Sequence, residues 1–313
     1  MGEPQPQSLV DLPQIGPAVV TIGVFDGVHA GHRALLGGTR VAAAEHAARS
    51  VALVFEPHPD ELVGSRARVP RLAPLAVNLA RIEAAGIDHA LPLRFDESLR
   101  WLTADAFLAA LDPAIGLRGL TMGRGSAFGR DRRGTVERMQ QLGADRGFRV
   151  VVVDPLEVDG EVVSSTRIRA AVAAGDLEEA HRLGVTPYLE GTVVPGERRG
   201  RELGFPTANL RFDYTPAMPP LGVYAGRVTR ADPQVGPAYP SLISIGTRPT
   251  FQTGGAVLVE VHLLDFDGDL YGSQLGVDVL ARLRDERRFD DVESLVRQMQ
   301  RDAEMGRDVL GMA

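Results

Sequence analysis

The chain has 313 residues, 44% hydrophobic and 24% charged, which is typical of a globular protein with two domains. The formal charge of −7 excludes a general basic field that would attract nucleic acid. The absence of Cys excludes disulfides, thiolate metal sites and cysteine nucleophiles, and because all 34 basic residues are Arg, a P-loop Lys and a Schiff-base Lys are excluded too.

The sequence gives no sign of a membrane protein. No apolar run reaches the length of a membrane-spanning helix, and residues 1–17, rich in Pro and Gln, lack the apolar core of a signal peptide. We therefore expect a cytoplasmic protein without a membrane or nucleic-acid partner, and the absence of Cys agrees with that compartment. The oligomeric state stays open.

Residues 19–36 predict a strand, a turn and a helix in that order. An apolar run rich in β-branched residues predicts a buried strand, and the glycines after it allow a tight turn close to a ligand. The helical pattern that follows predicts a buried face made of Leu35, Leu36, Val41 and Ala42. Such a unit is half of a parallel α/β fold, whose turn binds phosphate at the helix N-terminus.

Two histidines stand at the predicted helix start. His29 and His32 are three residues apart, so they lie on one side and can converge on one anionic group. The alternative is two ordinary polar residues on an exposed first turn. The stretch resembles the G-x-F-D-G-x-H-x-G-H signature of the nucleotidylyltransferase superfamily. The resemblance implies that both histidines are catalytic and that the nucleotide is bound by Gly23, Phe25, Asp26, Gly27 and Gly31.

The remainder of the first half alternates strand and helix patterns. Strands are predicted in residues 51–55 of the segment 49–56 and in residues 90–93, 117–122 and 149–153, and helices in residues 72–85 and 104–111, the second one capped by Thr103. This alternation predicts a Rossmann-like parallel sheet covered by helices.

The second predicted strand leads into Phe55-Glu56-Pro57-His58-Pro59, where the prolines fix an extended exit. Phe55 and His58 could flank a planar ring, or this could be a rigid surface turn with a core Phe. The element resembles the F-x-P-H-P element of bacterial riboflavin kinase/FAD synthetases, a branch of the superfamily. The resemblance implies a flavin-binding role for Phe55, Pro57 and His58.

A second glycine-rich turn covers residues 123–129 and departs from the family pattern G-x-[D/N]-F-x-F-G. Gly125 stands where an acid or amide is usual, and Ser126 stands where Phe is usual. Phe128 matches, and the resemblance implies that it binds flavin. The missing side chain would orient the flavin or nucleotide, so its loss is expected to affect the efficiency of adenylyl transfer more than the fold.

Residues 163–169 precede another helix, which Ser165 or Thr166 can cap, and its N-terminus is a ready anion site. Arg167 and Arg169 face different ways because they are two residues apart. An ordinary capped helix with solvated arginines is the alternative. The stretch resembles the family's S-S-T-x-I-R motif, which implies nucleotide binding by Ser165 and Thr166 and a catalytic, triphosphate-gripping Arg169.

The chemistry that the resemblance implies for this half is attack by the phosphate of FMN on the α-phosphorus of ATP, with pyrophosphate leaving. The reaction needs no enzyme nucleophile, because positioning and charge neutralisation lower the barrier. A magnesium ion would assist His29, His32 and Arg169.

A predicted helix over residues 175–183 ends at Gly184, and Thr186-Pro187-Tyr188 is typical of a hinge. We therefore predict a boundary near residue 185. The predicted domains are residues 1–185, which the resemblance implies is a nucleotidylyltransferase (FAD synthetase) domain, and residues 186–313, which in the same family is a riboflavin kinase domain.

Residues 196–210 predict a glycine-rich loop that could fold over phosphates. Arg198, Arg199 and Arg201 add positive charge to it, although the side chains of such a charge run are more often simply solvated. Thr207 and Asn209 are two residues apart, so in an extended chain both oxygens face one side and suit Mg²⁺. A hairpin loop with satisfied polar groups is the alternative. The segment resembles the riboflavin kinase motif G-x-x-x-G-R-x-L-G-F-P-T-A-N. The resemblance implies a nucleotide and metal site at Gly196, Gly204, Pro206, Thr207 and Asn209.

Further matches to the family follow at residues 222–226, 245–251, 259–266 and 269–272, as short alternating runs that suit a small antiparallel barrel. A polar helix over residues 291–310 closes the chain, with Val292, Leu295, Val296 and Met299 as its packing face.

Glu260 is the candidate general base for the riboflavin 5′-hydroxyl, and it corresponds to the family's catalytic V-E motif. It could face the barrel interior or mouth, and an outward-facing strand Glu is the alternative. Arg284 and Phe289 match an L-R-x-x-x-x-F segment, which the family closes over the flavin.

Five or more motifs in the family's order identify the chain as a member of the bifunctional riboflavin kinase/FAD synthetase family. The resemblance implies riboflavin, FMN and ATP as substrates, FAD as a product and Mg²⁺ as cofactor. Two alternatives stay open, namely a riboflavin kinase with a weak or altered first domain, and a flavin-binding regulator without turnover.

Overall fold

The structure is a computed structural model that describes residues 4–64, 68–196, 200, 203–230, 238–247 and 257–312. The chain divides into two compact units. The first consists of Met1–Val69 and Pro74–Ser165, and the second of Pro70–Ala73 and Thr166–Ala313.

The first unit is an α/β domain, as the sequence predicts. Its strands are β1 (Ala18–Gly23), β2 (Arg49–Glu56), β3 (His89–Arg94), β4 (Leu117–Gly123), β5 (Ala127–Phe128), β6 (Gly134–Thr135), β7 (Arg149–Val153), β8 (Glu157–Val158) and β9 (Glu161–Val162). Five of them form a parallel sheet in the order β3-β2-β1-β4-β7, while β5/β6 and β8/β9 are two-stranded ribbons. The predicted bounds of β7 are those observed, and β2 extends beyond the predicted apolar run at both ends.

Helices cover both faces of this sheet. They are α1 (Ala30–Glu45), α2 (Pro59–Val63), α3 (Leu75–Ala84), α4 (Glu97–Arg100), α5 (Ala104–Ile115) and α6 (Val136–Arg146). Alternate residues of β2 belong to different cores, because Val51 and Leu53 pack in one cluster and Ala52 and Val54 in another. A strand that is buried on both faces reads as a continuous apolar run, which is why the sequence pattern identified it.

Two details of the predicted helices are wrong. Helix α3 begins at Leu75 instead of residue 72, because Pro74 stands at its N-cap position and ends the extended segment before it. Val41 is 61% exposed, whereas Leu36, Thr39 and Ala43 form the buried face of α1. These three positions follow the 3.6-residue period, which places residue 41 on the opposite side.

The sheet changes its winding direction between β1 and β4. Strands β2 and β3 lie on one side of β1, and β4 and β7 lie on the other. Ligands of open parallel sheets bind at such a switch point, outside the carboxyl ends of the strands. The segments after Gly23 and Gly123, which include the predicted phosphate-binding turn, leave the sheet at this place.

The second unit is a closed antiparallel barrel with helices, also as the sequence predicts. Its elements are α7 (Ser165–Ala174), α8 (Leu177–Arg182), β10 (Tyr188–Val194), β11 (Ala208–Arg211), β12 (Gly222–Arg230), β13 (Tyr239–Thr247), β14 (Val257–Leu263), β15 (Gln274–Arg284) and α9 (Val292–Val309). Helix α7 starts on the last residue of the first unit. The barrel order is β10-β11-β14-β13-β12-β15.

The barrel interior is filled by alternate residues of each strand. On β14, Val259, Val261 and Leu263 are buried in the core, so Glu260 and His262 must point to the outer face of the wall. Leu177 of α8 joins the same core cluster. The segment Pro70–Ala73 also belongs to this unit, where Arg71 N–H donates to Thr215 O at 2.8 Å.

Helix α9 begins after Asp291, whose Oδ1 caps it by accepting from Ser294 N–H at 2.6 Å. The predicted packing face is partly wrong, because Val292 is 60% exposed. The buried positions of this helix are Gln298, Asp302, Ala303 and Gly306. Within the described ranges, no helix is both long and apolar enough to cross a membrane.

Candidate active sites

The turn after β1 holds two imidazoles side by side. The rings of His29 and His32 are stacked with centroids 3.6 Å apart, and Phe25 packs edge-on against His32 at 5.2 Å. Phe25 and Val28 both have positive φ, at 53° and 45°. Such backbone angles are costly for non-glycine residues, and they recur where a turn is shaped for a ligand.

His29 also serves as the N-cap of α1. Its Nδ1 accepts from His32 N–H at 3.2 Å, which leaves the ring proton of the neutral form on Nε2. The ring is nearly buried, at 4% exposed. The sequence prediction that both imidazoles lie on one side of the helix start is therefore confirmed, and the first of them is preorganised as an N–H donor.

Buried polar contacts fix the backbone of this turn. Gly27 N–H donates to Asn78 Oδ1 at 3.0 Å, and Ser165 Oγ donates to Asp26 O at 3.1 Å. A side chain at Gly31 would come within 3.2 Å of the His29 ring and 3.3 Å of Val163 O. The glycine at this position thus permits the close packing that holds His29.

The predicted flavin-binding residues at the end of β2 and directly after it have structural partners in the first unit. Phe55 packs edge-on against Phe95 with centroids 5.2 Å apart, at the border of the core. His58 follows Pro57, and its Nδ1 accepts from Asp60 N–H at 3.1 Å to cap α2. Both features agree with the rigid turn that was the alternative interpretation, and the flavin-binding role stays a prediction.

The turn after β4, which departs from the family pattern in sequence, is fixed by local contacts. Gly125 has a φ of 80°, an angle that Asn and Asp tolerate better than other side chains do. A side chain there would meet nothing within 4 Å. Ser126 Oγ donates to Gly123 O at 2.7 Å, and Phe128 packs edge-on against Phe107. The departure from the family pattern therefore leaves open space at position 125, on a backbone angle that Asn or Asp could adopt.

The two arginines of α7 have different surroundings. Arg167 is paired with Glu179 at 2.5 Å, so it is an ion-pair residue of the second unit. Arg169 is half-buried one turn beyond Ser165, and Thr166 is exposed. The interpretation that the two arginines have different roles agrees with this arrangement.

Strand register in the barrel assembles the second site. Glu260 on β14 lies opposite Asn209 on β11 and opposite Ser244 on β13. Residues directly opposite each other in antiparallel strands share a face. These three side chains and Thr207 line a cavity of about 380 Å³ on the outside of the barrel wall. Glu260 thus points away from the barrel interior, because Val259 and Val261 occupy that core.

The predicted metal ligands fit a cation. Asn209 is buried, and within the described ranges no group hydrogen-bonds to its Oδ1. A side chain at Gly196 would come within 2.2 Å of Asn209 Nδ2, so only glycine leaves room for this amide. The described residues contain no cluster of three or more His, Cys, Asp or Glu that could hold a metal ion. Hard oxygens without such a cluster suit a Mg²⁺ that is held mainly by nucleotide phosphates.

A second cavity of about 400 Å³ adjoins the first, and both are lined by Phe205 and His262. Gly204 and Pro206 also line it, and Gly204 has a φ of 84° that turns the loop. His262 Nδ1 lies 2.8 Å from Pro206 O, and burial lowers the pKa of this imidazole below its ordinary value. An ion pair between Arg307 and Asp265 lies on the same wall.

Arg284 and Phe289, predicted to bind flavin, are close together in the structure. The guanidinium of Arg284 lies 5.9 Å from the centre of the Phe289 ring. It also lines the 380 Å³ cavity and pairs with Asp302 of α9. Leu295 and Met299 of the same helix complete an apolar side of this cavity.

Sequence reasoning missed several residues of the second site. His262, Asp302 and Arg307 line the cavities but were not selected, and Asp302 and Arg307 carry no signal in the local sequence pattern. The period-2 alternation of β14 could have placed His262 on the same face as Glu260. Three predicted arginines, Arg198, Arg199 and Arg201, and residues 248–251 of one motif lie outside the described residues.

Two family models match the chain, one to each half. Residues 12–167 match FAD synthetase, and residues 183–310 match riboflavin kinase. Fold, cavities and models together define the class, namely a transferase that joins a parallel-sheet nucleotidyltransferase domain to an antiparallel flavokinase barrel.

Relatives match over nearly the whole chain. A bifunctional riboflavin kinase/FMN adenylyltransferase of Pseudomonas fluorescens is 39% identical over 90% of each chain. One of Escherichia coli K12 is 36% identical over 97% of this chain and 96% of its own. The chain belongs to the family of bifunctional riboflavin kinases/FMN adenylyltransferases.

One solved structure shares the fold along nearly all of the chain. It is described as a macrolide-efflux protein from Streptococcus pneumoniae, is 31% identical and has a TM-score of 0.83. The match covers 96% of this chain and 97% of that one. This match supports the fold of the chain, and the efflux activity in the name belongs to that protein alone.

Proposed function

We propose that this protein makes both flavin cofactors from riboflavin. The second unit transfers the γ-phosphoryl group of ATP to riboflavin, giving FMN and ADP. The first unit transfers the adenylyl group of a second ATP to FMN, giving FAD and pyrophosphate. The observation that carries the kinase half is the register that puts Glu260 between Asn209 and Ser244 on one cavity wall.

Glu260 acts as the general base of the kinase reaction. Its carboxylate accepts the proton of the riboflavin 5′-hydroxyl while that oxygen attacks the γ-phosphorus of ATP and ADP leaves. Half-burial of Glu260 in a cavity next to polar neighbours supports this role. The apolar side formed by Leu295 and Met299 suits the isoalloxazine ring, together with Arg284 and Phe289.

Thr207 and Asn209 would hold a Mg²⁺ ion together with the nucleotide, and the ion would supply charge neutralisation at the phosphate oxygens. The adjoining cavity takes the adenine, because it is lined by Phe205, His262 and Phe266 and opens onto the same loop as Thr207. Gly196, Gly204 and Pro206 shape the backbone around the phosphates.

The adenylyl transfer uses the turn at the start of α1. The imidazoles of His29 and His32 donate to phosphate oxygens of ATP, while the phosphate of FMN attacks the α-phosphorus. The helix N-terminus and the glycines Gly23, Gly27 and Gly31 let the nucleotide approach the backbone. By family resemblance, Phe25 and Asp26 complete the turn, Ser165, Thr166 and Arg169 bind the triphosphate, and Phe55, Pro57, His58 and Phe128 bind the flavin.

Both reactions consume ATP, so we place the protein in the cytoplasm, and the absence of Cys is compatible with a reducing compartment. Incubation of the purified protein with riboflavin, ATP and Mg²⁺, followed by chromatography, tests the function. We expect FMN to appear first and FAD to follow. Formation of neither product would contradict the proposal.

A second candidate is a riboflavin kinase whose first unit is weak or has another substrate. The absence of a side chain at Gly125 and of an aromatic ring at Ser126 favours it. Supplying FMN as the only flavin separates the two functions. FAD formation supports the bifunctional enzyme, and failure to form FAD while riboflavin is still phosphorylated supports the kinase alone.

A further inference from the structure

A buried polar cluster ties β15 to helix α9. Arg284 Nε lies 2.9 Å from Asp302 Oδ1, and Arg284 Nη2 lies 2.7 Å from Asp302 Oδ2, so the guanidinium and the carboxylate meet in a two-pronged pair. Gln298, one turn earlier on α9, donates from Nε2 to Asp302 Oδ1 at 2.7 Å. Arg284 Nη1 donates further to Asp285 O at 2.9 Å.

The members of this cluster are largely buried. Asp302 is 3% exposed and Gln298 is 6% exposed, and the Arg284 side chain is 11% exposed. Burying a charged pair is costly, and apolar residues of similar volume often stabilise a fold as well. The other charged residues of α9 are exposed or half-buried, so the burial of Gln298 and Asp302 sets these two residues apart. Its placement indicates what the cluster does.

The cluster forms part of the wall of the kinase cavity. Arg284 and Asp302 line the same 380 Å³ cavity as Glu260, on the side where Leu295 and Met299 form the apolar surface. A guanidinium that is held by two parallel bonds keeps a fixed orientation, in contrast to an Arg on a flexible stem. The cavity thus offers a fixed planar cation beside the surface that suits a flat ring.

We propose that Asp302, assisted by Gln298, is a positioning residue that fixes the Arg284 guanidinium to donate to the oxygen-bearing edge of the isoalloxazine ring of riboflavin. This inference rests on the proposed kinase function. It assigns to Asp302 and Gln298 a role in flavin recognition, separate from the proton transfer by Glu260. The pair would select riboflavin by its polar ring edge and leave the phosphoryl step itself unaffected.

The test compares three variants with the full-length enzyme. Asp302→Asn keeps the shape but removes the charge, and Asp308→Asn makes the same change at an exposed position of α9 as the matched control. The double variant Arg284→Met/Asp302→Leu replaces the pair by apolar groups and removes the guanidinium. For each variant we measure thermal unfolding, riboflavin KM and kcat, and FAD formation from FMN.

We expect the KM for riboflavin to rise on the order of tenfold in Asp302→Asn, since a charge-assisted hydrogen bond is worth about that factor. We expect kcat and FAD formation from FMN to stay unchanged, and Asp308→Asn to behave as the unaltered protein. The double variant should recover thermal stability, because the buried charges are gone. Its KM for riboflavin should stay raised, because it lacks the Arg284 guanidinium that donates to the flavin.

Recovery of the normal riboflavin KM by the double variant would overturn the proposal, since the pair would then serve stability alone. Unchanged kinetics in a destabilised Asp302→Asn protein would overturn it as well. If the unaltered protein does not phosphorylate riboflavin, it is the kinase function that fails, and flavin titration by fluorescence then tests whether Asp302→Asn still weakens riboflavin binding.

Discussion

The two sites are assembled in different ways. The two imidazoles of the proposed adenylylation site lie within one stretch of chain, where His29, the N-cap of α1, stacks on His32 three residues later. The proposed kinase site is brought together by strand pairing, which aligns Asn209, Ser244 and Glu260 on one wall of the barrel. The imidazole pair depends on local backbone geometry, and the kinase residues depend on the register of the whole barrel. Changes in the two sites should therefore have different consequences.

The strongest effect on the local site is expected from His29. Asn is a good N-cap, so His29→Asn removes the imidazole but keeps the cap, whereas His29→Ala removes both. We expect FAD formation from FMN to fall about 100- to 1000-fold in both, because an oriented donor to the phosphates is lost. Only His29→Ala should also lose stability, about 1 kcal/mol in chemical unfolding. Full adenylylation activity in the stable Asn variant would show that the imidazole has no catalytic role.

The register-dependent site can be disturbed by one methyl group. Gly196→Ala places a Cβ within 2.2 Å of the Asn209 amide and must displace it. We expect the KM for MgATP in the kinase reaction to rise on the order of tenfold, with FAD formation from FMN unchanged. Gly37→Ala adds a methyl group where no atom lies within 4 Å and serves as the control. Equal kinetics of the two variants would show that the Asn209 amide has no part in MgATP binding.

A smaller effect should come from the buried histidine of the kinase site. Burial lowers the pKa of His262 below its ordinary value of 6.5. Above pH 6.5 the ring is neutral in both the folded and the unfolded chain, so the stability it contributes is fully present there. That stability is lost as the pH falls below 6.5 toward the folded pKa, because the unfolded chain then binds more protons.

Thermal unfolding of the protein and of His262→Gln at about pH 7.5 and about pH 5.5 measures this loss. The difference in melting temperature between the two pH values should be a few degrees larger for the unaltered protein. An equal difference for both proteins would mean that His262 does not titrate with a lowered pKa.

The smallest effect is expected where the sequence departs from the family pattern. Gly125 has a φ of 80° and open space beside it, so Gly125→Asn fits the existing backbone. We expect the KM for FMN in adenylylation to fall about threefold, since the amide adds one modest hydrogen bond. The kinase reaction is the internal control, and an unchanged KM for FMN would show that position 125 does not contact the flavin.

The difference between local and register-dependent features also decides what the sequence could predict. The turn around His29, the capped helix at Thr103 and the strands of the parallel sheet are local patterns, and their types and approximate bounds were predicted correctly. Asn209 and Glu260 were selected through family motifs, but their alignment with Ser244 depends on register, which local patterns do not contain.

Burial was the weakest part of the prediction. In the last helix, Val292 was assigned to the packing face although it is exposed, while Gln298 and Asp302 are buried. Hydrophobic periodicity cannot identify a polar residue that is buried for its partner. Only the position of Arg284 in the folded barrel reveals why an acid stands in the packing face of α9.

The independence of the two sites is tested most directly by Glu260→Ala, with both reactions measured on the same preparation. Proton abstraction by a positioned base is worth about 100- to 10,000-fold, so we expect FMN formation from riboflavin to fall within that range. FAD formation from supplied FMN should keep its normal rate, and the variant should have the melting temperature of the unaltered protein. A parallel loss of both activities in the folded variant would contradict the account of two separate sites.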